Sequence, residues 1–159
     1  MTVHRVERRL RHAPEQLFDL VADVERYPEF LPGWRAARIQ RHDGETYHTD
    51  QIVGVGIFQQ RFSSCTTLEH PRRIVVRSHD RAFRHFLLEW TFAPAPEGGC
   101  QVALVAHLEF SSLLLQSVFS AAIAGQLESI VRAFDRRARQ RYGERAGSGR
   151  SPPDPSFRP

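Results

Sequence analysis

The chain has 159 residues, 41% of them apolar and 25% charged, with a net charge of +4; this is one domain's length, with apolar material for a core that needs neither disulfides nor metal. All 22 basic residues are arginine, and they run along the whole chain without interleaved aromatics, a coding bias more than a nucleic-acid surface. No run reaches the roughly 20 apolar residues that cross a bilayer, and Cys65 and Cys100 lie far apart in no metal-ligand pattern, so a cytoplasmic protein with reduced thiols is expected, at most peripheral on the inner face of the cytoplasmic membrane.

Taken in order, residues 3–11 read as a polar, arginine-rich strand whose Val6 and Leu10 share a face. Ala13-Pro14-Glu15 then opens a helix, because proline in a first turn gives up an amide that has no partner there. Leu17, Phe18, Leu20 and Val21 supply its apolar face. Pro28 and Pro32 cut the next stretch into a short helical turn and a bend made sticky by Tyr27, Phe30, Leu31 and Trp34.

From Trp34 to Ser111 the pattern is a meander, with turn chemistry at His42-Asp-Gly44, His70-Pro71 and Pro94 to Gly99. Phe86, Leu88, Trp90 and Phe92 alternate along one strand, and Val102, Leu104, Ala106, Leu108 and Phe110 along the next. Gly54 and Gly56 predict a bend or bulge within a strand where the sheet curls. The resulting antiparallel sheet has one apolar face that needs a cover.

The cover is a long helix from Leu113 to about Arg141. Leu115, Phe119, Ile123, Leu127, Ile130 and Phe134 recur at the spacing of one helical stripe. A second row, Ser117, Ala121 and Gly125, is small throughout and leaves room for another backbone or a bulky guest. Beyond Val131 the helix turns basic, which suits the negative end of its dipole, and Gly143 stops it. Residues 143–159 are too rich in proline and glycine to pack and are expected to be a disordered tail after a domain over 1–142.

Chemistry is sparse. The sequence has no nucleophile elbow, phosphate loop or zinc spacing, so no catalytic residue and no metal site is assigned. His79 with Asp80, and His107 with Glu109, stand beside acids in strand contexts where solvent-facing polar residues are ordinary. Phe58, Phe62, Phe83, Phe86, Trp90, Phe92, Phe110 and Phe119 are phenylalanine-rich, which suits a dry interior.

Leu17-Phe-Asp-Leu-Val-Ala-Asp-Val-Glu-Arg-Tyr-Pro-Glu-Phe-Leu-Pro32 resembles the opening signature of the START-like coenzyme-Q-binding (polyketide cyclase/ubiquinone-binding) family. Asp80-Arg-Ala-Phe-Arg-His-Phe86 with Trp90-Thr-Phe92 resembles that family's Asp-Gly-Pro-Phe block and downstream Trp-x-Phe, and Phe110-Ser-Ser-Leu-Leu114 the start of its last helix. Arg81 and Ala82 replace the usual Gly-Pro. Pro32-Gly33-Trp34 replaces the Pro-Trp-Cys of the quinone-binding branch and is shared with a bacterial branch named for a ribosome-association toxin.

The resemblance implies an α+β helix-grip fold, β-α-α-β6-α, with the long helix closing a hydrophobic tunnel. It implies a lining of Phe58, Phe62, Phe83, Phe86, Trp90 and Phe92 from the strands, with Phe110, Phe119, Ile123 and Leu127 at and on the last helix. It implies a non-enzymatic carrier or chaperone for ubiquinone or a similar isoprenoid lipid, supporting the respiratory chain, with no cofactor of its own. Gln51, Thr49, Ser64 or Thr66 then stand as donors for the quinone ring. Leu113 and Leu114, with Arg132 and Arg136, are expected at a membrane surface. The alternatives are the toxin-like branch acting on ribosomal subunits, where nucleic acid becomes a partner, and a cyclase acting on a polyketide in the same cavity.

Overall fold

A computed structural model describes residues 2–144; residues 1 and 145–159, and the side chains of Thr2, Ser120, Ala122, Ile123 and Ala124, lie outside that description. The expected tail therefore falls almost wholly outside it, as does the Ile123 side chain.

Strand β1 (Thr2–Leu10) leads into helix α1 (Pro14–Ala22) and a 3-10 turn (Val24–Glu29). Then come β2 (Trp34–Asp43), β3 (Thr46–Val55), β4 (Phe58–Glu69), β5 (Arg73–Arg77), β6 (Phe83–Pro94) and β7 (Cys100–Phe110), and helix α2 (Leu113–Tyr142) closes the order. The strands form one sheet in the order β1-β7-β6-β5-β4-β3-β2. Every neighbouring pair is antiparallel. The sheet curves around α2, and the fold is the α+β helix-grip.

Local chemistry fixes where the helices begin and end. Pro14 opens α1, and the Ala13 amide is satisfied by the Gln16 side chain at 3.0 Å. At its far end the carbonyls of Val21 and Ala22 have no helical partner, and the hydroxyls of Tyr27 and Tyr47 donate to them. Burial pushes both phenols up, so both stay donors. Ser112 caps α2 by accepting from the Leu115 amide, and Gly143, at φ 85°, ends it by donating to the Arg139 carbonyl. The ring of His12, fully buried in the loop before α1, donates from Nε2 to the Gly143 carbonyl at 2.6 Å. The first loop is thereby tied to the end of the last helix.

The apolar stripe on α2 is buried at Phe119, Leu127, Ile130 and Phe134, joined by Val131, Ala133 and Ala138. Two of the sequence expectations need correction. Ser117, Ala121 and Gly125 are exposed, and a Cβ built on Gly125 meets nothing within 4 Å; that row faces outward because the stripe beside it already covers the sheet. Gly56, at φ 59°, is no bulge inside a strand: with Ile57 it makes the two-residue turn joining β3 to β4. The register irregularities lie in β2 and at the start of β6.

The interior divides into two clusters. The larger joins α1, β1, β5, β6, β7 and the C-terminal half of α2, around Leu17, Ile74, Phe92, Val102 and Phe134. The smaller is Phe62, Phe83, Phe110 and Phe119, with Val53, Phe58, Leu115 and Val118 against it.

Candidate functional site

Between these clusters, under α2, lies a cavity of about 360 Å³. That is at the lower end of the ~300–1,000 Å³ typical of small-molecule sites: room for a ring-sized group and the start of a chain. Its floor is the alternating face of β6 and β7, with Phe86, Leu88, Trp90, Leu104 and Leu108; Phe62 and Phe83 stand at one side. Phe119, Leu127, Ile130 and Phe134 form its roof. Edge-on rings hold the walls: Phe62 meets Phe83 at 5.1 Å, and Trp90 meets Phe134 at 5.3 Å.

The rim is built from glycine. Pro32, Gly33, Gly54 and Gly56 all border the cavity. Gly33 sits at φ 84°, and its carbonyl accepts from the Gly54 amide at 2.9 Å, joining the bend after the 3-10 turn to β3. A Cβ at Gly54 would land on the guanidinium of Arg35, which crosses it to reach the Gly56 carbonyl. A larger residue there would displace the Arg35 side chain from this position.

Of the expected lining, Phe62, Phe83, Phe86, Trp90, Phe110, Phe119 and Leu127 face the cavity. Phe92 and Phe58 do not. Phe92 lies one pair of residues too far along β6, stacked on Trp90 and meeting Phe18 of α1, so it belongs to the packed core. Phe58 starts β4 at the outer edge of the smaller cluster. Tyr27, Leu31 and Trp34 are additional walls. The apolar bend was the signal for them, although no period tells which way a bend folds.

The four polar candidates form a buried row on β3 and β4, in which Thr49 pairs with Ser64 and Gln51 with Phe62. None of the four lines the cavity. Trp34 lines it instead and donates from Nε1 to Gln51 Oε1 at 2.8 Å, while Gln51 Nε2 donates to Ser64. Thr66 is buried beside Tyr47. The Thr49 hydroxyl is buried with no hydrogen-bond partner among the described residues.

The acid-histidine pairs resolve into structural roles. Asp80 accepts from the amides of Ser63 and Ala82 and from the Ser63 hydroxyl. Those bonds, the Ala82 amide first, hold its carboxyl below the usual range. Glu109 faces Arg84 at 3.7 Å. Burial pushes the Cys100 thiol up to about 11, the wrong direction for a nucleophile. Among the described residues no group of three His, Cys, Asp or Glu side chains gathers as a metal site.

The four expected surface residues sit at two places on α2. Leu113 and Leu114 are 89% and 61% exposed at its start. Arg132 faces Glu128, which also takes Arg8, and Arg136 is exposed nearby. At 1.5 Å per residue, Leu113 and Arg132 stand about 28 Å apart along the axis. Ile57, 91% exposed in the turn beside the rim, is an apolar neighbour of the cavity that the sequence reading missed. Among the described residues no helix is long and apolar enough to cross a membrane.

Known proteins bear on this cavity in two ways. The chain is 34% identical over 131 residues to "Ribosome association toxin RatA" of Vibrio cholerae, covering 82% of this chain and 90% of that one. It is 27% identical over 145 residues to "Coenzyme Q-binding protein coq10, mitochondrial" of Schizosaccharomyces pombe, covering 87% of this chain and 88% of that one. In fold it is similar to the Zhui aromatase/cyclase of a Streptomyces species, with a TM-score of 0.76 at 15% identity over 91% of this chain and 99% of that one. Residues 10–135, which include every residue lining the cavity, match the family described as polyketide cyclase / dehydrase and lipid transport, and the chain belongs to that family.

Proposed function

We propose that the protein binds an uncharged isoprenoid lipid, ubiquinone first among them, in the cavity beneath α2, and carries it as a non-enzymatic chaperone for respiratory electron transport. The observation that carries this reading is the lining: it contains no Asp, Glu, Arg or His among the described residues, so an apolar guest gains burial there while a charged one would lose its hydration uncompensated. The name of the Schizosaccharomyces pombe relative supports the same ligand class. The volume holds a head and the first part of a chain, so the remainder of a long tail leaves past the glycine rim. Ile57, next to Gly56 of the rim, and Leu113 and Leu114, at the start of α2, are exposed and are the surface we assign to lipid contact, with the protein otherwise in the cytoplasm; Arg132 and Arg136 add attraction to anionic headgroups where α2 lies along the surface.

The test is organic extraction of protein purified from a quinone-making host, followed by mass spectrometry and by titration of the lipid-free protein with ubiquinone. A stoichiometric isoprenoid quinone is expected. Clean extracts together with no saturable binding would remove the reading.

A second reading has its own observation. The Vibrio cholerae relative is named for ribosome association, and Arg38, Arg77, Arg81 and Arg136 are exposed cations. Co-sedimentation with ribosomal subunits that weakens steeply with salt, in a protein that carries no lipid, would favour it.

A further inference from the structure

Resting on the cavity reading above, we infer that the cavity selects its guest by an uncharged hydrogen-bond acceptor, a carbonyl on an otherwise apolar molecule, and that Gln126 and Trp90 are the residues that hold it.

Four lining side chains carry hydrogen-bonding atoms: Tyr27, Trp34, Trp90 and Gln126. Two are already committed. The Tyr27 hydroxyl donates to the Val21 carbonyl, and the Trp34 indole donates to Gln51. The Gln51–Ser64 pair behind Trp34 is closed on itself. The other two have no hydrogen-bond partner among the described residues, although Trp90 is 5% exposed and both border the void. Neither group is sealed in protein, since the buried side-chain atoms that lack a partner among the described residues are His12 Nδ1 and Thr49 Oγ1; the Trp90 indole N–H and the Gln126 amide keep accessible surface that a guest in the void can reach.

Gln126 comes from the roof of the cavity and Trp90 from its floor. Gln126, Ile130 and Phe134 follow one another at four-residue spacing, on one side of α2, and all three line the cavity. Phe134 is the ring that meets Trp90 edge-on at 5.3 Å. Gln126 therefore lies about 12 Å along the helix from the ring that meets Trp90, a span bridged by a ring with an oxygen at each end and a hydrogen bond on either side.

Their chemistry defines the guest. An indole N–H can only donate, so the atom against it is an acceptor; the Gln126 amide adds two more donors and one acceptor. Carbonyl oxygens at the two ends of such a ring can accept from the Trp90 indole and from the Gln126 amide, one at each residue. A carboxylate or phosphate would offer acceptors too, but the lining supplies no cation to offset its desolvation. The class is thus a quinone, ketone or ester with a hydrocarbon body.

Calorimetric titration of the full chain with three probes tests this: a ubiquinone with one isoprene unit, a prenylbenzene of similar size without oxygens, and decanoate. Gln126→Leu is expected to weaken the quinone about 2- to 10-fold, the worth of one net hydrogen bond, while prenylbenzene binds the same or tighter. Gln126→Glu, which keeps the volume and loses the N–H groups, should weaken the quinone further. Trp90→Phe should reproduce the first pattern, and if it fails to fold the two Gln126 variants decide alone. Equal loss for quinone and hydrocarbon, no loss for either, or decanoate binding more tightly than the quinone would overturn the proposal while leaving the cavity reading in place. If none of the probes binds the parent protein, the cavity reading itself has failed and this one with it.

Discussion

Helix α2 covers two interiors that differ in kind. Toward its C-terminal end, at Val131, Ala133 and Ala138, it closes a continuous core in which Leu17, Ile74 and Val102 are all but inaccessible. From Phe119 to Phe134 it also roofs a void, through Phe119, Gln126, Leu127, Ile130 and Phe134, and its first residues, Leu113 and Leu114, are left in solvent. Among the described residues, the side chains over the void, Gln126 apart, and those over the core are alike apolar. The difference comes from what lies opposite: α1 fills the space at one end, while at the other the space is bounded by Pro32–Gly33 and the β3–β4 turn, whose glycines have no side chains with which to fill it. One end stores stability, and the other keeps a volume open.

The contrast is broken most directly by shaving a leucine from each end. Leu17 is 1% exposed and surrounded on every side; Leu17→Ala should cost about 2–5 kcal/mol in urea unfolding. Leu127 is nearly as buried, at 6%, but one side of it faces the void, so it has already forfeited part of its contact energy. Leu127→Ala should cost about half as much and should alter ligand affinity, which Leu17→Ala should not. Equal losses of stability would mean that the void is closed by packing in solution.

This explains which features were legible in the sequence. The strands of β6 and β7 could be read because period-two alternation needs only one buried face, and α2 because its stripe has no other use. Its start and stop come from Ser112 and Gly143. The cavity could not be read, because a wall and a core both ask for apolar side chains: Phe86 and Phe92 share a face of β6, yet one borders the void and the other lies under α1. The polar row Thr49, Gln51, Ser64 and Thr66 looked like ring donors for the same reason. Whether a buried amide serves a ligand or a neighbouring indole depends on Trp34, 17 residues from Gln51 in sequence and adjacent to it only after folding. Gln126, one position before Leu127 of the apolar stripe, carries no signal in the helical period that would single it out.

A medium-sized effect sharpens the comparison from the electrostatic side. The cavity end is held by Asp80, which ties β4 to the loop before Phe83 through Ser63 and Ala82. Its carboxyl titrates below the usual range because the Ala82 amide, then Ser63, bond to the ionised form. A depressed folded value means that the contribution is full above the unfolded carboxyl's value, about 3.9, and is lost as pH falls through the lower folded one. Asp80→Asn should therefore destabilise by about 1–2 kcal/mol at pH 7, from weaker uncharged hydrogen bonds, and the gap to the parent should shrink as pH falls below about 4. A pH-independent gap would assign Asp80 no more than a shape.

The smallest effect concerns the outer face of the roof. Gly125 lies within α2, exposed, with open space where a Cβ would be. Glycine in a helix interior costs about 0.5–1 kcal/mol relative to alanine, through the freedom it must surrender on folding. Gly125→Ala should therefore stabilise the protein by about that amount without touching the cavity, since Gln126 and Leu127 keep their inward direction. The two ends of α2 respond differently to the same gain. The C-terminal end is already fixed by the core, so the added rigidity falls on the stretch of roof around Gly125, where hydrogen exchange of the amides from Gln116 to Gln126 should slow while those beyond Phe134 stay unchanged. A stabilisation accompanied by slower ligand release, measured by stopped-flow displacement, would identify motion of this roof as the way out of the cavity; unchanged release would leave the glycine rim at Gly33, Gly54 and Gly56 as the exit.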